Sequence, residues 1–297
     1  MNGYRLSVIG KVIALALCVG ALPFLPCASV HAQANAQDKL LLNAPADTLQ
    51  VAPPADTLLP VLPKKESLLD DYHKKIGFTY GAQARIQASY LWRGLYSGGP
   101  NIQASANVGY GGLYLDMWWN IGFTDMHFKQ FQPEVDFSLG FNRWGLNIYA
   151  LFIHNFNTKF FDFNNYYGKG NRLELNLMYT LSTKIPLTFR WGTRIAASDC
   201  YLDEAGNIVR AYSSYAEISY THYMRDGWSI FGAIGMTPWK GTYNPHGAAL
   251  QNIELRLRKD WSVSKYCGLM LQGQMAVSPM QEINVINLNL SFGVFLK

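Results

Sequence analysis

Arginines and carboxylates stand two residues apart along much of this chain, in step with polar neighbours and out of step with apolar ones. Arg85 follows Gln83 and precedes Gln87; Glu134 pairs with Asp136, Arg172 with Glu174, and Arg190 with Arg194 at twice that spacing; Glu254, Arg256 and Arg258 run in series. With Asp116 and Glu217 the set holds six side chains of each sign. Residues two apart on a strand point to the same face. Signs balanced in this way suit ion pairs that fill and brace an interior, whereas a passage selective for one ion wants one sign to dominate. The same twelve residues are the candidates for lining a path for solutes.

Other chemistry has less support. His127, His154, His222 and His246 are scattered, and no serine can be set beside His154-Asn155 to form a hydrolytic pair. A lone interfacial histidine reads more simply as an amphipathic anchor. Asp199, Asp203 and Glu204 share one polar stretch and could offer oxygens to calcium; a solvated acidic loop is the simpler reading. No phosphate-binding glycine loop, dinucleotide fingerprint, CxxC pair or HExxH helix is present, so no metal or cofactor is called for. The net charge of +5 falls to +3 once Arg5 and Lys11 of the first 32 residues are set aside, too mild to argue for nucleic acid as a partner.

The elements that must carry these side chains alternate with a period of two. Phe78, Tyr80, Ala82, Ala84, Ile86, Ala88, Tyr90 and Trp92 are apolar or amphipathic, and Gly77 to Ser89 between them are small or polar. That predicts one strand of about fifteen residues with a greasy and a wet face. The pattern recurs through Ile102–Tyr110, Leu113–Ile121, Phe131–Phe141, Leu173–Tyr179 and Leu187–Ile195. Five more candidates lie near Tyr212–Tyr223, Trp228–Thr237, Asn252–Lys259, Gly268–Val277 and Asn284–Leu296. Trp144 to Asn155 is also strand-like, but Leu151 and Ile153 oppose Ala150 and Phe152, so its phase is open.

Twelve strands result, an even number, as a closed antiparallel barrel needs. The connections alternate in length: short at Gly111-Gly112, Asn142-Arg143, Ser182–Ile185, Met224–Gly227 and Asp260–Tyr266, long at Arg93–Pro100, Thr124–Gln130, Asn155–Gly170, Ser198–Ala211 and Pro238–Ala249. Short periplasmic turns and long extracellular loops are the habit of outer-membrane barrels. Tyr90, Trp92, Trp119, Phe131, Trp144, Phe156, Trp191, Trp228, Trp239 and Trp261 cluster at strand ends and are expected in interfacial girdles. The chain is 49% hydrophobic and 15% charged, which fits strands that show half their side chains to lipid. The fold class is therefore all-β, a transmembrane antiparallel β-barrel of about twelve strands spanning residues 76–297.

Two segments precede it. Arg5 and Lys11, the apolar run Val12 to Pro26 and the small residues of Val30-His31-Ala32 read as a signal peptide over 1–32. Residues 33–75, with Pro45, Pro53, Pro54, Pro60 and Pro63 and a repeated Ala-Asp-Thr-Leu, read as a disordered periplasmic tether. Lys64 to His73 could form a short amphipathic helix. Cys200 and Cys267 fall at opposite ends of the expected barrel and should stay unpaired thiols.

Ala88-Ser89-Tyr90-Leu91-Trp92-Arg93-Gly94-Leu95, Pro100-Asn101-Ile102-Gln103-Ala104 and Gly112-Leu113-Tyr114-Leu115-Asp116-Met117-Trp118 together resemble the start of the TorF-like porin family of Gram-negative outer-membrane proteins. The likeness covers about residues 86–123; beyond that only a general barrel pattern is seen. It implies an outer-membrane barrel with a transport role and brings no established site. Arg93 matches the family's arginine, and hydrogen bonds from it to loop carbonyls at the barrel mouth are the simplest role. The expected function is a channel passing small solutes across the outer membrane. A closed barrel acting as surface adhesin or scaffold is the alternative, and a lipid-active enzyme a more remote one. The expected partners are outer-membrane lipid, lipopolysaccharide, the barrel-assembly machinery and small solutes.

Overall fold

A computed structural model describes residues 78–123, 133–155, 159–160, 171–182, 185–197, 199–202, 207–280 and 286–296. The expected signal peptide, tether and Lys64–His73 helix, together with His127, Phe131, Phe156, Asp203 and Glu204, lie outside the described residues.

Sixteen strands are described. In chain order they are β1 (Phe78–Gln87), β2 (Tyr90–Trp92), β3 (Leu95–Gly98), β4 (Asn101–Tyr110), β5 (Leu113–Gly122), β6 (Glu134–Arg143), β7 (Leu146–Asn155) and β8 (Arg172–Thr180). Then come β9 (Leu187–Ala197), β10 (Cys200–Leu202), β11 (Ile208–Arg210), β12 (Ser214–Tyr223), β13 (Trp228–Thr237), β14 (Ala249–Ser262), β15 (Cys267–Val277) and β16 (Ile286–Leu296). Twelve of them close into one antiparallel barrel in the order β1-β16-β15-β14-β13-β12-β9-β8-β7-β6-β5-β4, while β2-β3 and β10-β11 are small hairpins apart from it. These are the twelve strands the alternation predicts.

The two faces of the wall differ as the period of two requires. Leu113, Leu115, Leu139, Leu175, Leu177, Leu255, Leu257, Leu290 and Phe292 are exposed. Gln87, Gln103, Asp116, Asp136, Glu174 and Asn176, in the opposite phase, are buried. A belt of exposed apolar side chains around a whole barrel exceeds what a water-soluble surface carries. Facing hydrocarbon it is the expected exterior, and a closed barrel leaves no backbone edge unpaired in lipid. The architecture is that of an outer-membrane β-barrel, crossing with strands. Trp144, Trp228, Trp239 and Trp261 are exposed near strand ends, where an aromatic girdle belongs.

Four details depart from the sequence reading. The long first strand ends at Gln87, and the alternation beyond it belongs to the β2–β3 hairpin. Tyr90 and Trp92 on that hairpin are buried, as is Trp119, so none of the three joins a lipid-facing girdle. The turn expected at Asn142-Arg143 falls at Trp144-Gly145, whose φ angles of 56° and 77° are both positive. A type I′ hairpin turn requires that geometry at both central positions, and glycine supplies the second without steric cost. On β7 the open phase resolves with Tyr149, Leu151 and Ile153 buried and Ile148 exposed. The three buried residues pack with Tyr114 and Met178 as an apolar stripe on the inner wall.

Two irregularities reshape the inner wall. Asn252 opposes Gly235 and Leu250 opposes Met236, so Gln251 is an extra residue in β14. Glu174 opposes Arg194 while Leu173 opposes Ala196, which makes Ile195 the extra residue of β9. Bulges of this kind re-aim neighbouring side chains; in β14 both Gln251 and Asn252 end up buried. The seam that closes the barrel is short. β1 meets β16 over Gln83–Gln87 against Ser291–Phe295, whereas its ladder with β4 runs the full length from Phe78 to Gln87.

Candidate functional site

The inner wall carries the charged residues singled out by their spacing. Asp116, Asp136, Arg172, Glu174, Arg190, Arg194, Glu217, Glu254 and Arg258 are buried. Arg85, Glu134 and Arg256 are half-buried. Glu254 pairs with Arg256, and Arg258 Nε lies 2.8 Å from Asp260 Oδ1. Arg85 donates to the Gln103 side-chain oxygen at 2.9 Å from Nε and 2.5 Å from an Nη. Amides join part of this wall into a belt. Gln87 Nε2 donates to Asn101 Oδ1 at 3.0 Å, Asn289 Nδ2 donates to both Gln87 and Gln274 at 3.2 Å, and Gln274 Nε2 donates to Glu254 at 2.7 Å.

Across this interior lies the β2–β3 hairpin. Ala88 N donates to Leu290 O at 3.0 Å and Ser89 N to Asn289 Oδ1 at 3.2 Å, which fixes the hairpin's root against β16. Its turn is Arg93-Gly94, with φ angles of 47° and 79°. A Cβ at position 94 would come within 2.6 Å of the Gln251 carbonyl oxygen. Only glycine fits there on both counts, conformation and space. The turn is tight, so the arginine projects from the tip.

Arg93 does not bind loop carbonyls at the mouth. It is buried, and its guanidinium grips Glu174 on β8, with Nη2 at 2.5 Å from Oε1 and Nη1 at 3.0 Å from Oε2. Such a two-point fork is the strong geometry for an arginine–carboxylate pair. β8 is five strands around the ring from β1, nearly the far wall. A third anchor comes from the β14 bulge, where Gln251 Nε2 donates to Arg93 O at 3.2 Å. The guanidinium carbon lies 4.5 Å from the Trp92 ring centroid, 4.5 Å from that of Tyr215 and 5.4 Å from that of Tyr243. A planar cation stacked among rings gains from their negative faces.

Tyr243 reaches this point from the β13–β14 loop. It donates to Glu174 Oε2 at 2.5 Å and accepts from Arg93 Nη1. Tyr90, Trp92, Leu95, Trp118, Tyr215 and Tyr243 form one buried cluster, with Met280 packed on it. The hairpin and this cluster together occupy part of the barrel interior. Burial works against the charge on Arg93, but Glu174 outweighs it and raises the guanidinium's affinity for its proton. Burial pushes the Tyr243 phenol up to about 12, against the pull of Arg194 and Arg93. A raised folded-state value leaves stability intact below the ordinary tyrosine range and erodes it as pH climbs through that range toward 12. Barrel stability should therefore hold up to pH near 10 and then fall, and the fall should be shallower in Tyr243→Phe. An unchanged alkaline slope in that variant would remove Tyr243 from the account.

The remaining candidates are placed as follows. His154 is buried, its Nδ1 2.9 Å from Asn171 Oδ1 and its ring 4.9 Å from that of Phe160. Asp199 is buried rather than solvated, and its carboxylate accepts from Ser213 N at 3.0 Å and Thr242 Oγ1 at 3.1 Å. It thereby ties the β9–β12 connection to the β13–β14 loop. Among the described residues no group of three His, Cys, Asp or Glu is placed to hold a metal ion. Cys200 and Cys267 are both free, on the long-loop and short-turn ends. The buried aromatic cluster is what sequence reasoning missed. Gly94 marked a break in the pattern there, but one glycine does not distinguish a hairpin folded into the barrel from an ordinary loop.

No protein-family model and no curated protein sequence matches the chain. Among solved structures, an outer membrane channel from Pseudomonas putida F1 is 12% identical, with 75% of this chain and 96% of that chain covered and a TM-score of 0.41. NanC porin is 11% identical, with 74% of this chain and 100% of that chain covered and a TM-score of 0.42.

Proposed function

We propose that this protein is an outer-membrane channel for small solutes, narrowed by the β2–β3 hairpin. The observation that carries this reading is the polar inner wall. The core of a water-soluble barrel is filled with branched apolar side chains, whereas the water-filled lumen of a porin is polar. Here buried arginines, carboxylates and amides hold the interior instead, and such groups suit a passage that admits water. Arg85, Asp116, Glu134, Asp136, Arg172, Glu174, Arg190, Arg194, Glu217, Glu254, Arg256 and Arg258 are the residues assigned to lining it, and Arg93 to its constriction. The resemblance of residues 86–123 to the TorF-like porin family points the same way.

Planar-bilayer recording tests the proposal. Refolded protein that migrates as a folded barrel should give discrete openings. Silence from such a preparation would leave the second reading, a closed barrel used as adhesin or scaffold. The aromatic cluster around Arg93 is the feature that favours that alternative.

Orientation follows from the same reading, with the long loops outside and the short turns in the periplasm. An impermeant thiol reagent added to intact cells should label Cys200 and leave Cys267 unlabelled. Labelling of Cys267 alone would invert the topology.

A further inference from the structure

Among the described residues, buried polar atoms without a hydrogen-bond partner occur around the inner wall, at Gln103, Gln251, Asn252 and Ser291 among others, but only on one arc do they include both oxygens of one carboxylate. The belt from Asn101 through Gln87, Asn289 and Gln274 to Glu254 is bonded side chain to side chain. On the opposite arc, Asp136 is 3% exposed and neither carboxylate oxygen has a hydrogen-bond partner. Arg172 is 6% exposed and its Nε has none. The Trp118 indole nitrogen and the Tyr90 hydroxyl are buried and unpartnered as well. Native proteins rarely bury polar groups in this condition without something to bind them.

These groups share one level of the barrel. Trp118, Asp136, Ile153 and Arg172 are register partners in turn across β5, β6, β7 and β8. Two strand spacings, roughly 9–10 Å, separate the backbones at Asp136 and Arg172. Ile153 stands buried between them. The charges are thus held apart by an apolar residue rather than joined. Glu134 and, more weakly, Asp136 lie within electrostatic reach of Arg172 without forming an ion pair with it, and Arg194 adds a second positive charge on the same side. Tyr90 and Trp118 bring their rings together at 5.8 Å beside the acidic end.

We infer that this level is a subsite for a small zwitterion of amino-acid type, its ammonium on Asp136 beside the Trp118 and Tyr90 rings and its carboxylate on Arg172. A lone cation would leave Arg172 Nε without a hydrogen-bonded partner, with only the longer-range pull of Glu134 and Asp136 on its charge, and a lone anion would leave both oxygens of Asp136 without one. A solute with both charges and a short apolar body satisfies each group and rests on Ile153. An ammonium between a carboxylate and aromatic faces gains from both. The inference deepens the channel reading by naming the solute class, and it rests on that reading only for how the solute arrives.

The test measures binding without passage. Isothermal titration of the full chain refolded in detergent would use γ-aminobutyrate, with butylammonium and butyrate as singly charged controls. γ-Aminobutyrate should bind saturably and at least about tenfold tighter than either control, as expected for a lost charge-assisted contact. Asp136→Asn should bring it down to the level of butyrate, and Arg172→Gln to that of butylammonium. The comparison of probes on the unaltered protein stands even if a variant fails to fold. Equal binding of either control, or no saturable heat, overturns the inference. Saturable binding in a protein that never conducts would sink the channel and leave the subsite standing. Conductance without binding would do the reverse.

Discussion

Glu174→Gln should lower barrel stability by about 3–5 kcal/mol, because it leaves the Arg93 guanidinium buried without its counter-charge. Both side chains of the pair are almost fully enclosed, at 3% and 0% exposure. The cost thus comes from a stranded charge as well as from a lost contact. Urea unfolding followed by the gel shift between folded and denatured barrel would measure it. The same variant should raise conductance, since the hairpin tip then loses its ionic fork and is held by neutral links to Gln251, Tyr243 and Asn176 and by its ring contacts. The double replacement Arg93→Met with Glu174→Met should recover most of the stability, as exchanging a buried ion pair for apolar side chains often does. A Glu174→Gln barrel that unfolds at the wild-type midpoint would show that this pair does not hold the hairpin.

Trp92→Ala is expected to cost a similar amount, about 3–5 kcal/mol, through a different cause. Trp92 is 1% exposed and stacks against Tyr243 with ring centroids 5.6 Å apart. Its removal opens a void among rings that cannot all collapse, yet it leaves the Arg93–Glu174 fork in place. The conductance gain should therefore be smaller than in Glu174→Gln although the stability loss is comparable. Equal gains from the two variants would mean that aromatic bulk, and not the ion pair, sets the constriction.

The contrast between these residues explains how far the sequence could be read. The barrel was legible because a membrane wall imposes one rule on every strand, with apolar side chains out and polar ones in. Arg172-Leu173-Glu174-Leu175-Asn176 obeys it residue by residue, and the structure buries the first, third and fifth. The hairpin was not legible for the same reason. Ser89-Tyr90 continues the alternation of β1 and Leu91 alone departs from it, yet the segment lies inside the barrel, where both faces meet protein. A period of two cannot distinguish a strand in the wall from one folded across the lumen. Arg93 was singled out, but its partner stands 81 residues away, and no local spacing predicts that. The two bulges were likewise silent, since an extra residue shows only when the opposing strand is known.

The short seam between β1 and β16 bears on how the molecule assembles. Every other ladder of the barrel joins strands that are neighbours along the chain, apart from small hairpins inserted between them, but the seam joins residues about 200 positions apart, as Ser89 and Asn289 are. Pairings so distant in sequence carry the largest loop-closure cost and form late. The seam ladder covers Gln83 to Gln87, immediately before the hairpin root that also bonds to β16. The hairpin thus lengthens the last contact to be made, and the residues that constrict the passage also fasten the cylinder shut. Pulse-labelled hydrogen exchange during refolding should find the β1–β16 amides protected last, and later still when Arg93 cannot reach Glu174.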